Sequence, residues 1–139
     1  NRGTKRFGIG ESLGDVEKEM MDAGMFKGKV ISGDGIGKTL GYPTANLNTP
    51  RAAVTLKTGI YAAYATCLGK KYRAALAILE RPWKVEVHFI DYNGRDCRGR
   101  VVRVDPKQKI SEMERFDSVT DLKNKIREDI ELVKRILAA

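Results

Sequence analysis

Residues 59–91 read GIYAAYATCLGKKYRAALAILERPWKVEVHFID, from Gly59 to Asp91, and contain three apolar or alternating stretches separated by turn residues. Gly59 to Cys67 and Tyr72 to Leu79 read as the two strands of a hairpin turning at Gly69-Lys70. Lys84 to Asp91 alternates more strictly. Val85, Val87 and Phe89 point one way and Glu86, His88 and Ile90 the other, the period of a half-buried strand. Upstream, Phe26 to Ser32 predicts another strand, followed by a glycine-studded loop through Asn48. Downstream, Asn93-Gly94 marks a turn and Gly99 to Val104 a further strand. No internal repeat is present.

Beyond the strands the period changes. Ser118 can cap a helix, with Asp121 three positions on as its capping-box partner. Val119, Leu122, Ile126, Ile130, Val133 and Leu137 then follow three-four spacing on one face. Asp121–Lys125 and Glu131–Arg135 are expected as i,i+4 pairs on the wet side. Five or six short strands before one amphipathic helix predict a mainly β chain, a small barrel closed or plugged by that helix. At the other end, residues 1–12 are a polar lead-in, and Asp15 to Met25 predicts a short helix with Val16, Met20 and Met21 inward. The expected organisation is therefore residues 1–25 as lead-in and linker helix, and residues 26–139 as barrel plus closing helix.

The 139 residues suffice for one domain with a core, and 42% hydrophobic against 32% charged residues is globular composition. The longest apolar runs, such as Ala74 to Leu79, are too short to span a bilayer as a helix. With neither an initiator Met nor a secretory leader, the sequence reads as a piece of a longer chain. Two cysteines, Cys67 and Cys97, make no disulfide framework and lack metal-ligand spacing, so a reducing, cytoplasmic setting is expected. The net charge of +8 is concentrated between Leu68 and Ile110, where eleven basic residues face five acidic ones. Such a middle suits RNA, a phosphorylated small molecule or an exposed sheet face.

The loop Gly33-Asp34-Gly35-Ile36-Gly37-Lys38-Thr39-Leu40-Gly41-Tyr42-Pro43-Thr44-Ala45-Asn46 carries the chemistry. Gly33, Gly35, Gly37 and Gly41 leave backbone N–H groups open to phosphate oxygens, and Lys38 adds a point charge. An ordinary flexible turn is the plainer reading of glycine richness alone. Gly37-Lys38-Thr39 matches the end of a Walker A loop, but the first position of that motif is Ser32, and Pro43 opposes the helix it must open. A dinucleotide fingerprint fails on spacing and on the absence of a βαβ pattern. After Pro43, Thr44 and Asn46 project on one side of an extended segment, two hard oxygens suited to Mg²⁺ shared with a nucleotide phosphate. The same side chains can equally cap a turn. Glu86, mid-strand and opposite the apolar face, points either to solvent or to a cleft.

Gly37-Lys38-Thr39-Leu40-Gly41-Tyr42-Pro43-Thr44-Ala45-Asn46 resembles the signature of the ATP-dependent riboflavin kinases, including the kinase module of bifunctional riboflavin kinase/FAD synthetases. The likeness continues in order through Gly59-Ile60-Tyr61-Ala62, Arg81-Pro82, Val85-Glu86-Val87-His88, Arg115-Phe116-Asp117-Ser118 and the closing helix with Asp129, over roughly Phe26 to Leu137. It implies a six-stranded Greek-key barrel with a C-terminal helix that transfers the γ-phosphate of ATP to the ribityl 5′-hydroxyl of riboflavin, giving FMN and ADP. It further implies Thr44 and Asn46 on Mg²⁺, Gly33, Gly35, Gly37, Lys38 and Gly41 on the nucleotide phosphates, and Glu86 as catalytic base. Asp15 to Met25 resembles the linker helix of bifunctional members, so an FMN adenylyltransferase domain is an expected neighbour in the native chain. A membrane is not an expected partner, nor is nucleic acid. The likeness does not identify the flavin-contacting residues.

Several positions depart from that pattern. The Asn-Ile-Gly-type element before Arg-Pro is Ala77-Ile78-Leu79-Glu80, and only Trp83-Lys84-Val85 separates Arg-Pro from the Glu. The usual Leu-Tyr-Gly is Cys97-Arg98-Gly99, and the Arg and Glu of the usual Arg-x-Glu element are Ser111 and Met113. By the resemblance, these changes fall on the flavin and nucleotide sides of the family's cleft and leave the Gly-Lys loop, Thr44, Asn46 and Glu86 intact. A relative that binds flavin or nucleotide without turnover is the second reading, and a basic RNA-binding barrel the third; Tyr72, Trp83 and Tyr92 form no clear stacking pattern.

Overall fold

The computed structural model describes residues 24–31, 44–93 and 97–138. Six strands, β1 (Phe26–Ile31), β2 (Thr44–Asn48), β3 (Gly59–Cys67), β4 (Lys70–Leu79), β5 (Lys84–Phe89) and β6 (Val101–Ser111), precede one helix, α1 (Val119–Ile136). The strands close into an antiparallel barrel in the order β1-β2-β5-β4-β3-β6. β3, β4 and β5 form a meander and β6 returns beside β3, a Greek-key arrangement. Closure leaves no edge among the six strands.

Alternation sorts each strand into an inner and an outer face. Phe26 and Val30 of β1, Ala45 and Leu47 of β2, Leu76 and Ile78 of β4, Val85, Val87 and Phe89 of β5, and Val102 and Val104 of β6 fill the interior. The β5 faces are those its alternation predicts. Tyr61 also points inward and donates from its hydroxyl to Lys57 O at 2.8 Å; burial pushes its phenol above the ordinary tyrosine range. The β3–β4 turn falls at Leu68-Gly69, one residue earlier than expected. Both residues take positive φ, 52° and 78°, as a two-residue type I′ turn requires.

Gly28 marks a close approach inside the barrel. A Cβ there would collide with Thr49 Oγ1 and sit 3.1 Å from Leu47 Cβ. Thr49 cannot yield freely, being buried and donating to Lys27 O at 3.2 Å. Gly28→Ala is therefore expected to destabilise the fold by about 1–3 kcal/mol, read as a lower denaturant midpoint with an unchanged slope; an unchanged midpoint contradicts this packing.

Five expectations are corrected. The loop expected through Asn48 ends early, because Thr44–Asn48 is strand β2, paired with β1 and β5. β6 runs past Val104 to Ser111, with register shifts against β3 that let Pro106 sit in the strand. Cys67 and Cys97 are not separate thiols: they form a disulfide, with Cα atoms 6.7 Å apart, because closure brings the end of β3 to the segment before β6. Within α1, Ser118 accepts from Asp121 N at 3.1 Å as expected, but Val119 is 70% exposed, lying before the helix reaches the barrel. Ile130, Val133 and Leu137 make the buried seam, packing on Ala62 and Ala75 with Ile126 at its margin. The wet-side pairs also differ: Lys125 pairs inward with Asp129, and Glu131 with Lys134.

Residues 15–23 of the expected linker helix lie outside the described residues, as do Gly94 and the loop residues Gly33, Gly35, Gly37, Lys38 and Gly41. No described helix is long and apolar enough to cross a membrane.

Candidate active site

The outer face of β5 is where the chemistry-bearing residues converge. Register sets Thr44 opposite His88 and Asn46 opposite Glu86 across the β2–β5 pair, so all four share the outer face, since directly opposed residues of an antiparallel pair project together. Thr44 Oγ1 and His88 Nδ1 are hydrogen-bonded at 3.1 Å. His88 Nε2 stands 3.7 Å from Glu86 Oε1, and Lys84 Nζ 3.6 Å from Glu86 Oε2. His88 thus hydrogen-bonds, as expected. Asn46 is buried, and its Oδ1 accepts no hydrogen bond among the described residues. Buried oxygens are rarely left so.

On the other side of Glu86 the β4 neighbours are small: Ala77 lies opposite Glu86 and Ala75 opposite His88. This leaves a cavity of about 270 Å³ between the barrel wall and α1. Glu86 and His88 form one wall, Ile60, Ala77 and Leu79 the floor, and Met113, Phe116, Leu122 and Ile126 the apolar remainder. Lys84, Glu112, Glu114, Lys125 and Asp129 supply its other charges. Glu112 is also ion-paired with Lys109, whose ammonium that hydrogen bond holds above the ordinary lysine range. Two wider concavities, about 430 Å³ at the β3–β4 hairpin and 750 Å³ beside Trp83, contain neither Glu86 nor the β2 oxygens. Volume does not decide the site; the convergence of side chains does.

Glu86 therefore faces a cleft, the less common fate of a mid-strand carboxylate. Its side chain is 17% exposed, flanked by an apolar cavity on the β4 side and two oxygen side chains on the β2 side. β1 ends and β2 begins at this place, since Ile31 pairs with Asn46. The Gly-Lys loop of the sequence connects those two strand ends.

The family model described as Flavokinase: Riboflavin kinase matches residues 21–137. The chain belongs to the riboflavin kinase family. Among curated members it is 37% identical over 109 residues to the bifunctional riboflavin kinase/FMN adenylyltransferase of Escherichia coli strain K12, covering 73% of this chain and 34% of that protein. The protein of the same name from Bacillus subtilis strain 168 is 29% identical over 128 residues, covering 84% of this chain and 40% of its own. The chain thus spans little more than a third of these family members. Among solved structures, riboflavin kinase from Trypanosoma brucei superposes with a TM-score of 0.62 at 25% identity, over 82% of this chain and 79% of that one. A macrolide-efflux protein from Streptococcus pneumoniae superposes with a TM-score of 0.72 at 27% identity, over 88% and 46%. The riboflavin kinase family accounts for the barrel and closing helix together. The sequence pairs Lys125 with Asp121 and does not place it, or the wall 112–116, at a cavity; the change of period at Ser118 was the one signal that an element would cover this face.

Proposed function

We propose that the chain is a riboflavin kinase domain: it transfers the γ-phosphoryl group of ATP to the ribityl 5′-hydroxyl of riboflavin, giving FMN and ADP. The observation that carries the reading is the position of Glu86 between the apolar cavity and the β2 oxygens. Phosphoryl transfer asks chiefly for positioning and charge neutralisation, plus a group to orient the attacking alcohol and take its proton. The cavity offers apolar walls from Phe116, Met113, Leu122 and Ile126 to a flat ring system. A hydroxyl at the cavity mouth would donate to a Glu86 oxygen, and the carboxylate would accept its proton as the O–P bond forms.

The β2 residues fit a divalent cation. Asn46 Oδ1 is a buried oxygen without a partner among the described residues, and Thr44 Oγ1 lies two residues away on the same strand face. Both are hard donors of the kind Mg²⁺ takes, with nucleotide phosphates completing its shell. Bound there, Mg²⁺ supplies neutralisation of the phosphate charge. No three described His, Cys, Asp or Glu side chains form an alternative metal cluster. Gly33, Gly35, Gly37, Gly41 and Lys38 hold the phosphates in this reading, from the loop joining β1 to β2. His88 keeps Thr44 oriented through their hydrogen bond. An FMN adenylyltransferase unit in the same native chain belongs to the proposal, as the names of the bifunctional relatives suggest. So does a cytoplasmic setting, which rests on ATP as co-substrate and not on the cysteines.

Incubation with riboflavin, ATP and Mg²⁺ is expected to yield FMN and ADP in equal amounts, resolved by chromatography. Riboflavin binding, seen as fluorescence quenching, without FMN over hours overturns the kinase reading in favour of a non-catalytic flavin binder.

A further inference from the structure

Lys125 sits one turn before Asp129 on α1, and both turn toward the barrel, with side chains 14% and 11% exposed. The Lys125 ammonium donates to the two Asp129 carboxylate oxygens at 2.9 and 2.7 Å and to Ser111 Oγ at 2.6 Å. The Ser111 hydroxyl donates in turn to Asp129 Oδ1 at 3.1 Å. Glu114 Oε2 stands 3.8 Å from the same ammonium. One charge thus joins three pieces of chain: the last residue of β6, the connection that follows it, and α1.

A carboxylate buried in this way needs a cation, because its desolvation is otherwise uncompensated. Ser111, the last residue of β6, brings only a hydroxyl to Asp129. The positive charge comes from α1 instead. The ring of contacts also borders the cavity directly, since Glu112, Met113, Glu114 and Phe116 wall it on the side that Ser111 and Lys125 tie down.

We propose that Lys125 is a positioning residue for the flavin: through Asp129, Ser111 and Glu114 it fixes the 112–116 wall against the cavity and so sets riboflavin affinity. The identity of the ligand rests on the kinase reading above; the clamp rests on the distances. The polar contacts of Lys125 run to Asp129, Ser111 and Glu114, on the wall across the cavity from β2, so its effect falls on the flavin side of the site.

The test compares Lys125→Gln, Asp129→Asn and the double variant Lys125→Gln/Ser111→Arg with the unaltered chain, reading riboflavin Kd by fluorescence quenching and the KM values for riboflavin and ATP. Lys125→Gln is expected to raise riboflavin Kd and KM about tenfold while the KM for ATP holds. Ser111→Arg in that background is expected to recover most of the loss, because it supplies a cation from β6, where Ser111 already contacts Asp129. Asp129→Asn, nearly isosteric and leaving no carboxylate unpaired, is expected to shift riboflavin affinity in the same direction and guards against a Lys125 variant that fails to fold. An unchanged riboflavin Kd in folded Lys125→Gln or Asp129→Asn overturns the clamp, as does an equal rise in both KM values. Absence of FMN from the unaltered chain with tight riboflavin binding refutes the kinase reading alone, and the Kd series still decides the clamp. Absence of riboflavin binding by the unaltered chain overturns both.

Discussion

Replacing Glu86 by Gln is expected to lower turnover by about 10²–10⁴-fold, the usual contribution of a positioned general base. The substitution is nearly isosteric and leaves the cavity its shape, but the amide cannot accept the alcohol proton. Riboflavin and ATP should bind with little change, so the loss belongs in kcat. Lys84 Nζ and His88 Nε2 stand 3.6 and 3.7 Å from the carboxylate, on the same side of the strand as the cavity. Turnover of Glu86→Gln within a few-fold of the unaltered chain would falsify its role as base.

Asn46→Ala is expected to separate activity from stability. Its Oδ1 is buried with no partner among the described residues, so deleting it forfeits no hydrogen bond there and should leave folding free energy within about 1 kcal/mol. If the same oxygen helps hold Mg²⁺ against the nucleotide, turnover should fall roughly 10²–10³-fold, the scale on which a preorganised charge-stabilising group acts. The Mg²⁺ concentration giving half-maximal rate should rise as well. Titrating Mg²⁺ against rate, beside a thermal melt, checks both halves. An unaltered Mg²⁺ dependence removes Asn46 from metal binding, and a collapsed melt shows that the oxygen was structural.

The barrel was legible where side chains alternate strongly, as in β5, and where a glycine permits a tight turn, as at Gly69. It was less legible where strands carry polar residues. Thr44-Ala45-Asn46-Leu47-Asn48 sends only two apolar side chains inward, and its strand character comes from pairing with β1 and β5. Asp105-Pro106-Lys107-Gln108-Lys109 reads as loop, yet the irregular register against β3 accommodates it.

At the site, residue types were readable but directions were not. Whether Glu86 met solvent or a cleft depended on what α1 and the 112–116 connection cover, a tertiary fact. Lys125 shows the same limit in small. It has an acid four residues before it, Asp121, and another four residues after, Asp129. Helix spacing permits either pair, and only the docking of α1 on the barrel selects Asp129. The Cys67–Cys97 pairing has no local signature, since it depends on where the end of β3 meets the segment before β6.

The seam between β1 and β6, where Phe26 pairs with Val104 and Lys29 with Val101, bears on how the chain reaches this state during synthesis. β1 has no finished neighbour on that side until β6 has left the ribosome, and the Glu86 cavity has no roof until α1 follows. A nascent chain stopped before residue 101 would expose β1 and β3 as open edges, competent to pair with other chains. Closure of the cavity and protection of the strand edges therefore both wait on residues 101–136, and truncation before residue 101 should be punished by aggregation.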